Sequence, residues 1–401
     1  MKMVFNAFSV KTGAGGGEIK KESFKEPERK LIVISGINIR TGGPLSILSD
    51  CLLFLENSLA SKYNIIALVN RKSLFNNLKK IKLIEFPNST KSYFHKLYYE
   101  YLYFYFLSKK LKPYLWLSMN DVSPNVEAQK RAVYCHNSSP FYNISLKEIL
   151  LDPKFFIFNK FYSLLYTINI RKNDFVIVQQ DWLRNEFVSR FKLDPTKVIV
   201  AYPVFKNDSS NNTSFINIKE NRLKRFIYPA LPRVFKNFEV ICEASKILLE
   251  KGVNNFEVIL TIDGNENRYS KLIKYKYGSI RNVKFIGLQS RDKVFELYKI
   301  SDCLIFPSKL ETWGLPISEF KQFGKPILAA DLPYARETVG NYDMVCFFNP
   351  YNPYELANLM ENIIYNKLVF QSNKVPQPKY PFAQSWKDLF DILLGEESHN
   401  E

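Results

Sequence analysis

The 401-residue sequence is poor in the residues that build metal centres and disulfide scaffolds. It has three histidines and five cysteines, the cysteines are widely spaced, and no Cys-x-x-Cys occurs. This pattern argues against a zinc cluster, a His-rich metal site and a disulfide framework. Unpaired cysteines are typical of a reducing compartment, so we expect a cytoplasmic protein.

Long apolar runs are missing as well. No run approaches the roughly 20 residues that a membrane-spanning helix needs. The apolar stretch from Val4 to Val10 is too short and too polar for the core of a signal peptide. Residues 1–30 combine a glycine-rich stretch with a charged run, and we expect them to form a flexible leader.

Acidic residues are scarce in the first half of the chain. Residues 1–200 contain 30 Lys and Arg against 16 Asp and Glu, a net charge of +14, whereas residues 201–401 have a net charge of +3. Such an excess favours an anionic partner, for example a lipid surface or a phosphorylated substrate, although it also suits a merely solubilising surface. No nucleic-acid-binding module is recognisable, and we expect no nucleic-acid partner.

Short β-branched runs alternate with helical patterns along most of the chain. This alternation is typical of an α/β protein with parallel sheets covered on both faces. An Asn- and Ser-rich stretch interrupts the alternation, which predicts two Rossmann-like domains that face each other across a cleft. The predicted parts are a first domain at 31–205, a linker at 206–224, a second domain at 225–380, and a C-terminal helix and tail at 381–401, with a return of that helix to the first domain as one option.

The segment from Pro307 to Glu319 has the composition of a ligand-binding loop. It follows a predicted buried strand, 303–307, and leads into a predicted helix, 317–323, whose first turn would contain Glu319. Ligands of open parallel sheets collect at the carboxyl ends of strands, and Gly314 permits close approach of backbone to ligand. A helix N-terminus there suits a diphosphate. Without further information, Glu311 is explained as a solvated loop acid and Glu319 as a partner of the helix dipole.

Several ordered motifs resemble those of the large retaining glycosyltransferase family 4, which has the GT-B fold. They are the two glutamates Glu311 and Glu319 with seven residues between them, the neighbouring Gly-Leu-Pro, and the later segments Phe323–Asp331, Ala335–Gly340 and Phe348–Pro350. The likeness is dense over 225–365 and thinner over 31–205.

The resemblance implies roles around this loop. Glu319 would bind the ribose hydroxyls of a nucleotide-sugar donor, and Glu311 would contact the donor sugar near the reacting face. Backbone groups of the intervening residues would hold the sugar and phosphate; these residues are Thr312, Trp313, Gly314 and Leu315.

The family's diphosphate clamp is a basic pair, usually an arginine and a lysine five positions apart. Lys236 falls at the lysine position, but Leu231 stands where the arginine is expected. Arg233, two residues later, is our candidate substitute. Two cations beside a strand end suit phosphate better than they suit a plain surface.

In the first half of the chain, the resemblance assigns two further donor-binding elements. Gly42 and Gly43 match the family's glycine loop near the donor phosphate, and His136 matches a histidine placed against the donor sugar. Without the family, the glycines would be explained as a strand-to-helix turn and the histidine as a structural residue.

The implied reaction is a retaining transfer to a hydroxyl of a saccharide acceptor, with a lipid-linked oligosaccharide of a surface polysaccharide as the expected acceptor. The resemblance implies neither a metal nor another cofactor, and the sequence has no Asp-x-Asp metal motif. One alternative is a catalytically inactive nucleotide-sugar-binding homologue, which the departure at Leu231 leaves open although the intact residues of the site argue against it. The other is a GT-B epimerase, which the glutamate pair disfavours.

The segment 91–112 is unusually rich in Tyr and Phe and ends in lysines. Aromatic residues favour the membrane interface and lysines attract anionic lipids, so the segment suits peripheral attachment to the inner face of the cell membrane. A buried core helix with a basic tip explains the same composition.

Overall fold

This computed structural model describes residues 29–203, 223–371 and 373–396. Almost all of the expected leader and linker, and the end of the expected tail, lie outside these described residues. Within them, the strands in chain order are β1 Leu31–Gly36, β2 Asn64–Val69, β3 Lys82–Glu85, β4 Leu115–Ser118, β5 Lys130–Tyr134, β6 Phe175–Val178, β7 Val198–Ala201, β8 Lys224–Tyr228, β9 Phe256–Leu260, β10 Val283–Phe285, β11 Cys303–Phe306, β12 Ile327–Ala330, β13 Val345–Phe348 and β14 Phe382–Ala383.

The described strands form two sheets in which every pairing is parallel. The first sheet has the order β14-β7-β6-β5-β4-β1-β2-β3, and the second has the order β10-β9-β8-β11-β12-β13. In each sheet the first strand lies inside, with its successor on one side and a later strand on the other. This reversal of strand order opens a crevice at the carboxyl ends, where α/β proteins bind ligands. The expected α/β architecture of two Rossmann-like domains is confirmed.

Helices cover both sheets. They are α1 Gly42–Phe54, α2 Tyr93–Tyr98, α3 Phe104–Leu111, α4 Leu146–Leu151, α5 Pro153–Thr167, α6 Asp181–Phe191, α7 Phe238–Glu250, α8 Arg268–Tyr277, α9 Arg291–Ile300, α10 Leu315–Lys321, α11 Pro333–Val339, α12 Pro353–Ile364 and α13 Trp386–Leu394. Two π-helical turns, Leu55–Leu59 and Tyr99–Tyr103, prolong α1 and join α2 to α3. The 3₁₀ turns are Lys72–Leu74, Pro87–Thr90, Ser139–Phe141, Ile170–Lys172, Pro195–Lys197 and Val234–Lys236.

Five of the described strands, one of them the edge strand β13, are buried along their length, which explains their continuous apolar runs. Every residue of β4, β7, β11, β12 and β13 is buried. Strands of a parallel sheet that is covered on both faces have no solvent side, so their sequences do not alternate between apolar and polar residues. The buried strands therefore fix the positions of the loops that follow their carboxyl ends.

The last described elements of the chain pack on the first sheet. β14 pairs with β7, and α13 buries Leu389, Phe390 and Leu393 in the core of the first domain. Phe390 stacks on Phe54 of α1 at a centroid distance of 5.7 Å. The two domains are thus joined both by the chain after β7 and by the chain before β14.

Candidate active site

The loop between β11 and α10 is held by hydrogen bonds within it and to the segment after β8. Ser308 donates a side-chain hydrogen bond to the Leu310 carbonyl at 2.9 Å, and the Lys309 N–H reaches the Phe235 carbonyl at 2.7 Å. Gly314 closes the loop in the left-handed region, with φ of +90°, and a Cβ there would lie 3.4 Å from the Phe306 ring. Glycine is therefore favoured at this turn, where the backbone passes into α10.

α10 begins at Leu315, two residues earlier than the sequence predicts, because Gly314 makes the turn and Pro316 fits the first helical turn. Glu319 is consequently the fifth residue of the helix. The expectation that it lies in the first turn is wrong.

Lys236 and Glu311 form an ion pair at the base of the cleft. Their side chains are 16% and 13% exposed, so the pair is largely shielded from water. Lys236 ends the 3₁₀ turn after β8, and the next residue, Asn237, anchors that turn by donating to the carbonyls of Pro307 at 3.2 Å and Pro350 at 2.7 Å. The carboxyl ends of β8 and β11 therefore bring a cation and a carboxylate together.

Arg233 lies on the rim of the same cleft and reaches across to the first domain. Its guanidinium is 3.1 Å from the Asp152 carboxylate, and its side chain is 48% exposed. Leu231 is 64% exposed and has no charge to offer. Of the two positions considered for the second cation, only that of Arg233 places a charge beside the cleft, and there it is paired with an acid.

His136 follows β5 and is fixed through its backbone. The Asp121 carboxylate accepts hydrogen bonds from the N–H groups of His136 and Asn137. The His136 ring stacks on Tyr134 at 4.5 Å. Burial lowers the pKa of the imidazole, although the Asp121 charge opposes this shift, so the neutral ring is favoured at neutral pH.

The loop from the second domain touches this part of the first domain. The Thr312 hydroxyl lies 2.8 Å from the His136 carbonyl and 3.1 Å from the Ser138 hydroxyl. Trp313 is buried, and its indole N–H donates to Ser318 at 2.9 Å. The Trp313 side chain therefore braces the loop, while Thr312 bridges the domains.

The glycine loop of the first domain lies close to the start of α10. Gly42 has φ of +73° and begins α1. A Cβ on Gly43 would lie 3.7 Å from a methyl group of Leu315. The two predicted phosphate-binding segments, one from each domain, thus meet across the cleft.

Glu319 has separate surroundings. Its carboxylate accepts a hydrogen bond from Tyr298 at 3.2 Å and lies 3.6 Å from the Arg291 guanidinium. Burial raises the pKa of Glu319, against the opposing effects of Arg291 and Tyr298. A partly buried carboxylate held by one phenol retains lone pairs with which it can accept hydrogen bonds from ligand hydroxyls.

A cavity of about 560 Å³ lies between the domains beside the ion pair. Its lining includes Arg233, Lys236, Glu311 and Thr312 from the second domain. The first domain contributes Tyr93, Asn137, Ser138, Ser139, Lys154, Phe155 and Phe158. Basic, hydroxyl and aromatic side chains in one cavity suit an anionic, hydroxyl-rich ligand such as a sugar phosphate.

Sequence reasoning missed several residues of this site. Asp152, Lys154, Asp121 and Tyr298 were not candidates. A signal was present at Asp152, because an Asp directly before Pro153 is a common start of a helix. The partners of Asp121 and Tyr298 are distant in sequence, and only the fold brings them together.

The described residues contain neither a metal-ligand cluster nor a membrane span. No group of three or more His, Cys, Asp or Glu side chains there is arranged to hold a metal ion. No helix among those residues is both long and apolar enough to cross a membrane.

Comparisons with known proteins agree with this geometry. Residues 209–375 match the family described as "Glycosyl transferases group 1". Over 162 residues, 40% of this chain, the sequence is 24% identical to the serotype-specific mannosyltransferase WbdA of Escherichia coli. The match spans about a fifth of the length of that relative.

Solved structures share the fold over most of the chain. The lipopolysaccharide outer core galactosyltransferase WaaB is 13% identical, with a TM-score of 0.60 over 92% of this chain and 100% of that one. WaaG, a glycosyltransferase involved in lipopolysaccharide biosynthesis, is 15% identical, with a TM-score of 0.57 over 83% and 90%. Anabaena HepE in complex with UDP and glucose is 14% identical, with a TM-score of 0.54 over 84% and 89%.

Proposed function

We propose that this chain, whose residues 209–375 match the group 1 glycosyl transferases, transfers a hexose from a nucleotide-sugar to a hydroxyl of a saccharide acceptor, with retention of the anomeric configuration. The observation that carries this proposal is the Lys236–Glu311 pair beside the interdomain cavity. A paired cation and carboxylate at adjacent strand ends provide one group for a leaving phosphate and one for a sugar.

The donor would lie along the line from Glu319 to Glu311. Glu319 accepts the ribose hydroxyls, and the backbone between Thr312 and Leu315 follows the phosphates and the sugar. Lys236 leaves Glu311 and binds the diphosphate, with Arg233 as the second cation. Gly42 and Gly43 admit the diphosphate from the first domain, because neither has a side chain to fill the space.

In the transfer step, the bond between the anomeric carbon and the diphosphate oxygen breaks, and the electron pair leaves with the nucleoside diphosphate. The acceptor hydroxyl attacks the same face, and its proton passes to the departing diphosphate oxygen as the new bond forms. Lys236 and Arg233 stabilise the charge that develops on the leaving phosphate. Glu311 and the neutral His136 flank the sugar, where the carboxylate stabilises the positive charge that develops on the ring.

We further propose a UDP- or GDP-sugar as donor and a lipid-linked oligosaccharide of a surface polysaccharide as acceptor. HepE, which shares the fold, forms a complex with UDP and glucose, and WaaB and WaaG are both glycosyltransferases named for lipopolysaccharide. A cytoplasmic site of action suits the five cysteines, which are all free and buried.

A thermal-shift screen against UDP-, GDP- and ADP-sugars tests donor binding, because a ligand that binds only the folded state stabilises it by mass action. We expect one nucleotide class to raise the Tm and to release its nucleoside diphosphate when acceptor is added. Binding without release in the presence of a range of saccharide acceptors would instead indicate a nucleotide-sugar-binding homologue that has lost activity.

A further inference from the structure

The helical segment Tyr93–Leu111 presents a stripe of apolar side chains to solvent. Phe94, Tyr98, Leu102 and Phe106 recur every four residues along it, and all four are exposed, with Phe94 at 83% and Phe106 at 63%. Residues spaced by four lie on one side of a helix. The segment therefore covers the core with one side, which includes Phe104, and offers an apolar stripe on another.

α5 continues this surface. Ile157 and Leu164 of α5, and Ile168 directly after it, are exposed. The two helical segments touch where the rings of Tyr93 and Phe161 approach to 4.9 Å. We call the exposed residues of Tyr93–Leu111 and of α5, together with Ile168, the aromatic face.

The charge of the aromatic face has one sign. The two helical segments contain a single carboxylate, Glu100, and it is fully buried. The exposed charged residues are lysines: Lys109 and Lys110 at the end of α3, and Lys154 and Lys160 on α5. Lys109 pairs with the exposed Glu127 of a neighbouring loop at 3.5 Å, but the two helical segments themselves carry no exposed acid. Exposed apolar side chains accompanied by an excess of lysines complement a surface that is apolar inside and anionic outside.

We infer that the aromatic face docks on an anionic lipid bilayer. Phe94, Leu102 and Phe106 enter the interfacial region, and the lysines contact acidic headgroups. A second copy of the chain fits this face less well, because self-contact would bring lysines against lysines.

The cavity opens at the edge of this face. Tyr93, Lys154 and Phe158 line the cavity and belong to the same two helical segments. A docked enzyme would therefore present its acceptor side to the membrane, so that a lipid-anchored acceptor reaches the ion pair with its lipid still in the bilayer. This orientation rests on the proposed function; the docking itself does not.

Flotation with vesicles tests the docking. We expect the full chain to float with phosphatidylglycerol–phosphatidylcholine vesicles and to float poorly with pure phosphatidylcholine, with binding that weakens as salt rises. The double variant Phe94→Ser/Phe106→Ser should bind the vesicles about tenfold or more weakly, because each substitution removes a large apolar contact with the bilayer. The matched control is Tyr275→Ser/Val369→Ser, which alters two residues that are as exposed but lie in the second domain.

A second double variant distinguishes loss of docking from a folding defect. Lys91→Glu/Lys160→Glu changes only exposed charges, one just before the first helical segment and one on α5. It should reduce binding to anionic vesicles while the Tm stays within a few degrees of wild type. The inference would be overturned if wild type bound neutral and anionic vesicles equally. It would also be overturned if Phe94→Ser/Phe106→Ser bound anionic vesicles as tightly as wild type. A wild-type dimer that the same variant converts to a monomer would overturn it too.

Donor binding separates this inference from the proposed function. Both double variants should keep the thermal shift that the nucleotide-sugar causes in wild type, because none of the altered residues lines the cavity. Loss of vesicle binding with donor binding intact would assign the aromatic face to the membrane alone. Vesicle binding by a chain that binds no nucleotide-sugar would refute the proposed function and leave the docking standing.

Discussion

The Thr312 side chain, in the second domain, donates a hydrogen bond of 2.8 Å to the main-chain carbonyl of His136, in the first. Thr312 follows Glu311 directly, and His136 is the proposed neighbour of the donor sugar. One bond therefore sets the distance between two groups that would contact the same ring. Gln180 adds a second bridge between the domains, since its amide lies 3.0 Å from the Tyr334 carbonyl and 2.8 Å from the Thr338 hydroxyl.

Removal of the cation at the base of the cleft should abolish most of the transfer. We expect Lys236→Ala to lower kcat/KM by about 10²–10³-fold, the usual loss when a preorganised partner of developing charge is removed. Steady-state release of nucleoside diphosphate measures this. Lys246→Ala is the control, because Lys246 is an exposed lysine of α7 that pairs only weakly, at 3.7 Å, with Glu250. Equal rates in the two variants would remove Lys236 from the mechanism.

Variants can either weaken or strengthen the contribution of Arg233, the proposed second cation, to donor binding. Arg233→Ala should raise the donor Kd, whereas Asp152→Asn should lower it, because the arginine no longer shares its charge with a carboxylate. Both changes should be about two- to fivefold, since half-exposed ion pairs are worth roughly 0.2–1 kcal/mol. Leu231→Arg, which restores the cation that the family has there, should tighten donor binding. Calorimetric titration with the donor would contradict the clamp if Arg233→Ala bound as tightly as wild type.

Donor affinity should depend on the ionisation of Glu319. Burial raises the pKa of this carboxyl, so it becomes protonated at a higher pH than an ordinary glutamate. A protonated carboxyl accepts fewer hydrogen bonds from ribose hydroxyls, so donor affinity should fall as the pH drops through the raised pKa. Glu319→Gln should bind weakly at every pH and lose this dependence. Donor Kd values measured over a series of pH values test this prediction. Identical pH profiles of Kd for Glu319→Gln and wild type would exclude the role of Glu319 in binding the ribose.

The buried Glu100 should make the free energy of unfolding depend on pH. Burial raises its pKa from 4.5 to about 7, although Lys96 and Asn120 oppose the shift. Between these values the folded chain holds a proton that the unfolded chain releases, so stability should fall as the pH rises from about 4.5 to 7.

The expected loss over that range is on the order of 2–3 kcal/mol. Glu100→Gln keeps an acceptor for the Asn120 amide and cannot titrate, so its stability should change less with pH. Urea unfolding at both ends of the range measures the difference. A variant with the full pH slope of wild type would show that other groups cause it.

Much of the fold follows from local patterns. Buried parallel strands are continuous apolar runs, and the runs at 31–35, 256–262, 303–307 and 326–330 predict β1, β9, β11 and β12 to within two residues at each end. The helical pattern at 291–300 predicts α9 with its observed bounds, and in the structure Ser290 caps the helix by accepting from the Lys293 N–H. Such signals lie within a few residues of each other and need no knowledge of the rest of the chain.

Other parts of the fold depend on distant contacts. α5 was missed because its aromatic residues occupy both its buried and its exposed sides, so its sequence shows no polar side. The partnership of Arg233 with Asp152 joins residues 81 positions apart, and the pairing of Lys236 with Glu311 spans 75. The predicted motif correctly indicated a loop between β11 and α10. It could not show that the cations beside that loop are already paired with acids.

The most direct test of the proposed function is the anomeric configuration of the transferred sugar, followed by NMR as the purified chain consumes its nucleotide-sugar in the presence of a saccharide acceptor. We expect a product with the same anomeric configuration as the donor, at a rate that Lys246→Ala retains and Lys236→Ala loses. An inverted product, or transfer that continues unchanged in Lys236→Ala, would contradict the account of this site.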